Sequence, residues 1–491
     1  MKTGKIPKEW KIALVSAIYK RKGDKHNPVN YRPISLTSIV CKILECIIRD
    51  SLMKYLKANG ILSDRQFGFL AGRSTTLQLL RVVDEWTEII DNGGVIDAIY
   101  CDFQKAFDTV PHNRLLEVLE FYGIKGSLLT WFRNFLTNRL QQVAVNGTKS
   151  ETFEVLSGVP QGSVIGPALF IIYINTMVAK SGNADIYLFA DDLKLYKEIK
   201  SSDQSDSLQS ELDRLYDWTQ YSLLKFHPEK CVVMRFGSGK KHMETKPFYN
   251  MDETMLKVVD SEKDLGIDID NQLTFDNHIS RIVKKANAIV GMIRRSFVHL
   301  DAEIFKRLFT SIVRPHLEYG APVWNPHTKK NFDIIENVQR RSSKRIPGMQ
   351  NLSYAERLRR LKLPTLSYRR YRGDMIEMYK ISHGCYDDGA TKDFLNYRSH
   401  ALGERPFRGH KFTNYKDRFR KDTRKYSFKC RVTDQWNNLP AYIVESPTLN
   451  TFKNKLDKLW DREGISYNPE IDIHLATSSR HIRYQLMEDE N

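Results

Sequence analysis

Apolar positions along the chain alternate between helical and strand spacing in an order that outlines its architecture. After Thr37-Ser38, apolar residues recur at 39, 40, 43, 44, 47, 48, 52, 55 and 56, which predicts a helix with a hydroxyl N-cap. A second helix follows Ser74, with Leu77, Leu80, Val83, Trp86 and Ile90 on one face and Asn92-Gly93-Gly94 as its stop. Residues 95–103 form a mostly apolar run that reads as a buried strand ending at Asp102. Helical segments carrying Leu115, Leu119, Trp131 and Phe135 come next. A hairpin is expected around Asn146-Gly147, from 142–146 and 152–156. Pro167 opens a buried helix over 168–174. A second hairpin joins 185–189 to 193–199, with Ala190-Asp191-Asp192 at the bend. Leu208, Leu212, Leu215 and Trp218 mark another helix, and 231–236 another strand.

This order fits an α+β fold in which helices cover one face of a sheet. From 277 onward the spacing is largely helical, with an irregular polar stretch at 381–428. At 491 residues the chain has length for about three domains. The run Ile12–Tyr19 follows Lys2, Lys5, Lys8 and Lys11 as a signal peptide would. It contains Ser16 and meets Lys20-Arg21-Lys22 at once, so it reads as a strand entering a basic turn. No apolar run reaches the roughly 18 residues of a membrane span.

Composition sharpens the picture. Apolar residues make up 41% and charged residues 27%, which excludes a wholly disordered chain. The formal net charge is +17, which favours a polyanionic partner. Residues 340–431 hold 25 Lys and Arg against 9 Asp and Glu, nearly the whole excess. A phosphate-binding role is favoured there over a merely solvated surface. Tyr368, Tyr371, Tyr379 and Trp436 interleave with these charges, as base-stacking rings or as core aromatics. Six cysteines without a C-x-x-C pair argue against a disulfide framework or zinc ribbon and fit a reducing compartment.

Asp102 at the end of a buried strand, and Asp191 and Asp192 at a hairpin tip, are the candidate chemistry. Carboxylates rarely enter apolar strands without compensation. Three that converge without Cys or His ligands suit a hard ion such as Mg²⁺, and two such ions can activate an attacking hydroxyl and stabilise a leaving phosphate oxygen. An Asp-Asp pair alone is most often a solvated turn.

The wider sequence resembles the reverse transcriptases of non-LTR retrotransposons, particularly jockey-like and chicken-repeat-like elements. The resemblance runs through Ile6-Pro7, Trp10-Lys11, Tyr19-Lys20-Arg21-Lys22-Gly23-Asp24 and Asn30-Tyr31-Arg32-Pro33-Ile34-Ser35-Leu36. It continues with Gln66-Phe67-Gly68-Phe69, Gly72-Arg73-Ser74-Thr75 and Asp102-Phe103-Gln104-Lys105-Ala106-Phe107-Asp108. Gly158-Val159-Pro160-Gln161-Gly162-Ser163 and Phe189-Ala190-Asp191-Asp192 complete it. It implies a right-hand polymerase: fingers over 1–94, a palm with an antiparallel sheet over 95–272, a helical thumb over 273–345 and a basic C-terminal region over 346–491.

By the same resemblance Asp102, Asp191 and the Phe103 carbonyl would ligate two Mg²⁺ ions, with Mn²⁺ an alternative. Asp192 completes the acidic set, while Asp108 is structural. Phe107 matches the aromatic gate that excludes a ribose 2′-OH, although its residue type alone reads as core. Gln161 and Gly162 would border the incoming nucleotide. Lys20, Arg21, Lys22, Arg32 and Arg73 belong to the fingers motifs, and Arg32 and Arg73 are favoured as phosphate binders. Lys230 matches a lysine associated with pyrophosphate departure, but His227 stands where the family has Asn. Lys263-Asp264-Leu265-Gly266-Ile267 resembles the primer grip, and Arg314-Pro315-His316-Leu317-Glu318-Tyr319 the thumb.

The partners so implied are an RNA template, a DNA primer and deoxynucleoside triphosphates, with no membrane. The expected address is the nucleus after cytoplasmic synthesis. The family often carries an endonuclease ahead of the polymerase. None is expected in this chain, so nicking would be supplied elsewhere. Two rival readings stay open: a non-catalytic nucleic-acid-binding relic of such an element, and an intron-type maturase.

Overall fold

The computed structural model describes residues 4–179, 182, 184–237, 247–297, 299–398, 409–462 and 464–471. The chain forms two compact units. The first comprises Met1–Leu70, Asp97–Arg235 and Glu244–Val259, and the second Ala71–Ile96, Phe236–Met243 and Asp260–Asn491.

The first unit is α+β and contains two five-stranded sheets besides the small hairpin Asn250–Met251/Thr254–Met255. In one, Ile12–Tyr19 pairs antiparallel with Tyr31–Leu36 and parallel with Arg139–Val145. Arg139–Val145 then turns through Asn146-Gly147 into Thr148–Lys149 and also pairs with Phe153–Val155. The parallel pairing ties residues 12–16 to 140–144 across the intervening helices. Such a long-range pairing is not legible in local spacing.

The other sheet has the order Lys257–Val258, Val232–Phe236, Ile96–Cys101, Asp192–Glu198, Asp185–Phe189. Its middle strand is almost wholly buried, as its apolar run predicts. The hairpin Asp185–Phe189/Asp192–Glu198 is antiparallel, with Phe189 opposite Asp192. Helix Gly166–Val178 has Pro167 in its first turn and is apolar and buried nearly all round, the mark of a core helix.

Helix Ile39–Ala58 starts where expected, with the Ser38 hydroxyl accepting from the Cys41 N–H at 3.4 Å. Its buried face is not the one that apolar content alone would choose. Cys41, Glu45, Ile48, Leu52 and Leu56 face inward, whereas Ile39 is 77% exposed and Val40, Ile43 and Ile47 also lie outside. Glu45 is fully buried, and the next subsection gives the reason.

The second unit is mostly helical. Helix Thr75–Asp91 is capped by the Ser74 hydroxyl, which accepts from the Leu77 N–H at 3.1 Å. Leu77, Leu80, Val83, Trp86 and Ile90 are all buried on it, as predicted. The hairpin Ser261–Asp264/Ile267–Asp270 turns through Leu265 and Gly266, both at positive φ (46° and 91°), as a two-residue type I′ turn needs. Helices Asp276–Ser296, Lys329–Ser343, Leu366–Ser382, Phe428–Asn438 and Leu449–Arg462 follow.

The expected block bounds do not coincide with the two compact units, and one sequence expectation changes. Residues 71–94 fold with the second unit, as do 260–272, so the blocks 1–94 and 95–272 are each divided between the compact units. The basic excess of 340–431 is also partly internal. Arg424 bridges Asp84 (2.6 Å) and Asp417 (2.8 Å), Arg431 meets Asp374 (2.9 Å) and Arg372 meets Asp457 (2.7 Å). Arg357, Arg370 and Arg424 are buried, and so are Tyr368, Tyr371, Tyr379 and Trp436. These aromatics are core residues, not a stacking surface. Among the described residues no helix is long and apolar enough to cross a membrane.

Candidate active site

Asp102 follows directly on the central strand Ile96–Cys101, and the 225–227 segment holds its backbone. The His227 N–H donates to the Asp102 carbonyl at 2.8 Å, and the Gln104 N–H donates to the Lys225 carbonyl at 2.9 Å. Phe103 and Phe226 are therefore a non-hydrogen-bonded pair, with ring centroids 4.5 Å apart. In such a pair the N–H and C=O of Phe103 face away from the 225–227 segment. The Asp102 carboxylate accepts from Lys230 Nζ at 3.0 Å, and both side chains are partly exposed.

Ala190 and Asp191 form the two-residue turn of the neighbouring hairpin, and Ala190 has φ +58°. This turn is held by Gln66, whose buried Oε1 accepts from the Gly68 N–H (2.7 Å) and the Ala190 N–H (3.0 Å). The Phe67 N–H donates to the Leu188 carbonyl at 2.7 Å and the Leu188 N–H to the Arg65 carbonyl at 2.9 Å. A Cβ on Gly68 would lie 2.3 Å from the Ala190 nitrogen, so only glycine permits this approach.

The Asp191 carboxyl is raised above its ordinary pKa. Burial is the main cause and the Asp102 carboxylate adds repulsion, while a backbone N–H and the Arg32 guanidinium oppose the shift. Asp191 is thus within electrostatic reach of both Asp102 and Arg32. Asp192 opens the strand Asp192–Glu198 and is exposed.

Of the three expected carboxylates, Asp102 and Asp191 interact by charge. Among the described residues no group of three or more His, Cys, Asp or Glu stands ready to hold a metal ion. Asp191 belongs to the turn, and Asp192 is the first residue of the following strand. The donor chemistry of Asp102 and Asp191 still fits a hard divalent cation: two mutually repelling carboxylates, balanced here by Lys230 and Arg32. Lys230 supplies countercharge where a cation would sit. The Lys230–Asp102 pair is partly exposed, so Lys230→Met should change unfolding free energy by less than about 1 kcal/mol. It should also tighten Mg²⁺ binding, measured by titration calorimetry. Weaker binding would show that Lys230 does not compete for Asp102.

Phe107 lies on the short helix Ala106–Thr109, half-buried, stacked on Phe170 at 4.2 Å. The 158–163 loop is clamped from two sides. The Val159 N–H donates to the Phe107 carbonyl and the Gly158 N–H to the Val110 carbonyl, each at 2.8 Å, and the Ser35 N–H donates to the Gln161 carbonyl at 2.7 Å. The Gln161 amide donates to Asp108 at 2.7 Å. Burial raises the Asp108 carboxyl, and this bond opposes it. Gly162 has φ +121°, and a Cβ there would lie 2.3 Å from the Ser35 carbonyl oxygen. Both residues have intramolecular roles: Gln161 orients Asp108, and Gly162 lets the loop approach residue 35.

Arg73 has a structural partner. It belongs to the second unit, where its nearly buried guanidinium meets Asp387 at 2.6 Å. The guanidinium that the sequence assigns to a phosphate is thus engaged by a carboxylate of the same unit.

Three positioning residues were given no role in the sequence reading. Gln66 holds the Asp191 turn. Glu45 Oε2 accepts from the N–H groups of Val164 (2.7 Å) and Ile165 (3.1 Å) at the start of helix Gly166–Val178, and so fixes the end of the 158–163 loop. His112 Nε2 bonds the Gly158 carbonyl at 2.8 Å, and burial lowers its pKa. Glu45 leaves a sequence signal, an acid in register with Cys41, Ile48, Leu52 and Leu56.

The sequence profile described as "Reverse transcriptase (RNA-dependent DNA polymerase)" matches residues 20–269, just over half of the chain. The chain belongs to this reverse transcriptase family. The profile spans Asp102, 158–163 and Asp191. The probable RNA-directed DNA polymerase from transposon BS of Drosophila melanogaster is 28% identical over 360 residues, covering 70% of this chain and 39% of its own. The RNA-directed DNA polymerase from mobile element jockey of the same species is 29% identical over 362 residues, covering 70% of this chain and 38% of its own. This reverse transcriptase chain thus spans about two fifths of the length of these curated relatives. The resemblance to jockey-like elements is borne out. Among solved structures, telomerase from Candida tropicalis aligns with 72% of this chain and 59% of its own, at 11% identity and a TM-score of 0.41.

Proposed function

We propose that this chain carries RNA-directed DNA polymerase activity of a non-LTR retrotransposon, extending a DNA primer on an RNA template with deoxynucleoside triphosphates. The observation that carries the reading is the adjacency, in one sheet, of the strand that Asp102 directly follows and the hairpin whose turn bears Asp191, in a member of the reverse transcriptase family. The fold assignment that accompanies it is a right-hand polymerase, with thumb and basic C-terminal lobes gripping nucleic acid through backbone phosphates. The site of action is the nucleus.

Asp102 and Asp191 would hold divalent cations, with the Phe103 carbonyl as a further donor and Asp192 supplying charge nearby. When bound, Mg²⁺ or Mn²⁺ supplies activation of the primer hydroxyl and charge stabilisation at the phosphate. Arg32 steers the triphosphate by charge. Phe107 screens the sugar at its 2′ position. Gln161 and Gly162 shape the wall of the nucleotide pocket through Asp108 and Ser35.

The test is extension of a labelled DNA primer on an RNA template with Mg²⁺. Asp102→Asn should abolish it while the melting temperature holds. No incorporation by the folded, unsubstituted chain would overturn the reading and favour a non-catalytic nucleic-acid binder.

A further inference from the structure

Phe69 combines three features that its neighbours do not share. It is 53% exposed, it has φ +58°, and its ring meets Phe107 edge-to-face, with centroids 6.0 Å apart and planes at 81°. A lone exposed apolar side chain needs no explanation. A bulky residue in the left-handed region does, because its Cβ crowds the backbone there and the conformation persists only where the surroundings enforce it.

The enforcement is visible. Gln66 Oε1 ties the Gly68 N–H to the Ala190 N–H, the Phe67 N–H binds the Leu188 carbonyl, and Gly68 packs so closely on Ala190 that no side chain fits. Residues 66–68 are therefore registered on the turn that bears Asp191, and residue 69 is the first beyond that register. The left-handed step at 69 ends with its ring against Phe107. Phe107 in turn stacks on Phe170, which is fully buried. The three rings form a series from solvent to core, with Phe107 in the middle.

We infer that Phe69 is a specificity-determining positioning residue: it braces the Phe107 ring so that ribonucleoside triphosphates are refused in favour of deoxyribonucleoside triphosphates. The inference rests on the polymerase reading above and on Phe107 as the residue that meets the sugar. Phe170 supports Phe107 by stacking, but a stacked ring can still slide in its plane. An edge-on neighbour opposes that sliding. Because 66–68 are fixed to the Ala190–Asp191 turn, the brace also sets the gate relative to the carboxylate that would hold the cation. Discrimination over one hydroxyl then depends on a contact Phe69 makes with protein, not with substrate.

The experiment is single-nucleotide primer extension with the full chain, giving kcat/KM for a deoxynucleotide and the matching ribonucleotide. Phe69→Gly removes the ring yet tolerates φ +58°, so the backbone register survives. It should lower the deoxy-to-ribo ratio by about tenfold or more, mainly through a lower KM for the ribonucleotide. Phe69→Tyr keeps the ring and should restore the ratio. General damage to the fold lowers both kcat/KM values together and leaves the ratio in place, so the ratio separates positioning from stability. Phe107→Ala is the reference. If it lowers the ratio while Phe69→Gly and Phe69→Ala do not, the brace is refuted and the gate stands. If Phe107→Ala leaves the ratio unchanged, the gate is refuted and the brace with it. Absence of incorporation by the unsubstituted chain refutes the polymerase reading instead.

Discussion

Asp191→Asn is expected to lower primer extension by at least about 10³-fold while leaving the fold as stable as before, or more so. The two effects share one cause. In the folded chain the Asp191 carboxyl is partly withdrawn from water and is repelled by the Asp102 carboxylate, so its charged form is disfavoured. Its folded pKa lies above the unfolded value. Between those two values the folded state holds the proton more than the unfolded state does, so stability falls as pH rises through that window and then levels off. Asn carries no such penalty. The stability difference between Asp191→Asn and the parent should therefore be small at pH 3, grow as pH rises through the window, and stay constant at neutral pH. Chemical denaturation at several pH values reads this directly. A divalent cation reverses the balance, because it binds the carboxylates of the folded chain. Mg²⁺ should raise the melting temperature of the parent and much less that of Asp191→Asn. A variant that loses stability at pH 7, or gains as much from Mg²⁺ as the parent, would argue that Asp191 is a structural carboxylate.

Much of this site was legible because its motifs lie on regular elements. The 95–103 run forecasts a buried strand whose end must carry Asp102, and the 185–199 pattern forecasts a hairpin with Asp191 at its tip. Both elements form as expected. Local spacing does not say which strands become neighbours, yet adjacency of Ile96–Cys101 and Asp192–Glu198 is what brings the two carboxylates together. The parallel pairing of 12–16 with 140–144 was invisible for the same reason. Arg73 shows a different limit. A basic residue in a fingers motif reads as a phosphate ligand, but its ion partner, Asp387, lies more than 300 residues away in sequence. The helix Ile39–Ala58 shows a third. Periodicity finds the apolar positions, but the inward face is decided by a buried acid capping another helix, which apolar counting scores against.

The strand that ends at Asp102 also contains Asp97, and Asp97→Ala should be the most damaging single change in the first unit. Asp97 is fully buried in an otherwise apolar strand. Its Oδ1 accepts from Arg235 Nε at 2.6 Å, and its Oδ2 accepts from Arg235 Nη2 and the Tyr249 hydroxyl, each at 2.7 Å. Arg235 lies on the adjacent strand Val232–Phe236, and Asp97 raises its pKa by hydrogen bonding and charge. Truncation at 97 leaves a largely buried guanidinium and a buried phenol without this acceptor, a loss of about 3–5 kcal/mol. Arg235→Ala strands the carboxylate and should cost a similar amount. The paired replacement Asp97→Leu with Arg235→Met removes both charges and fills the space, so it should cost much less than the two single losses together. Denaturant unfolding of all three variants tests this. Single losses that simply add in the pair would mean that the two side chains act independently. Because Asp102 directly follows the strand that holds Asp97, the damage should also reach catalysis: at temperatures where Asp97→Ala is still folded, primer extension should fall through a misplaced Asp102, and the paired replacement should recover much of it.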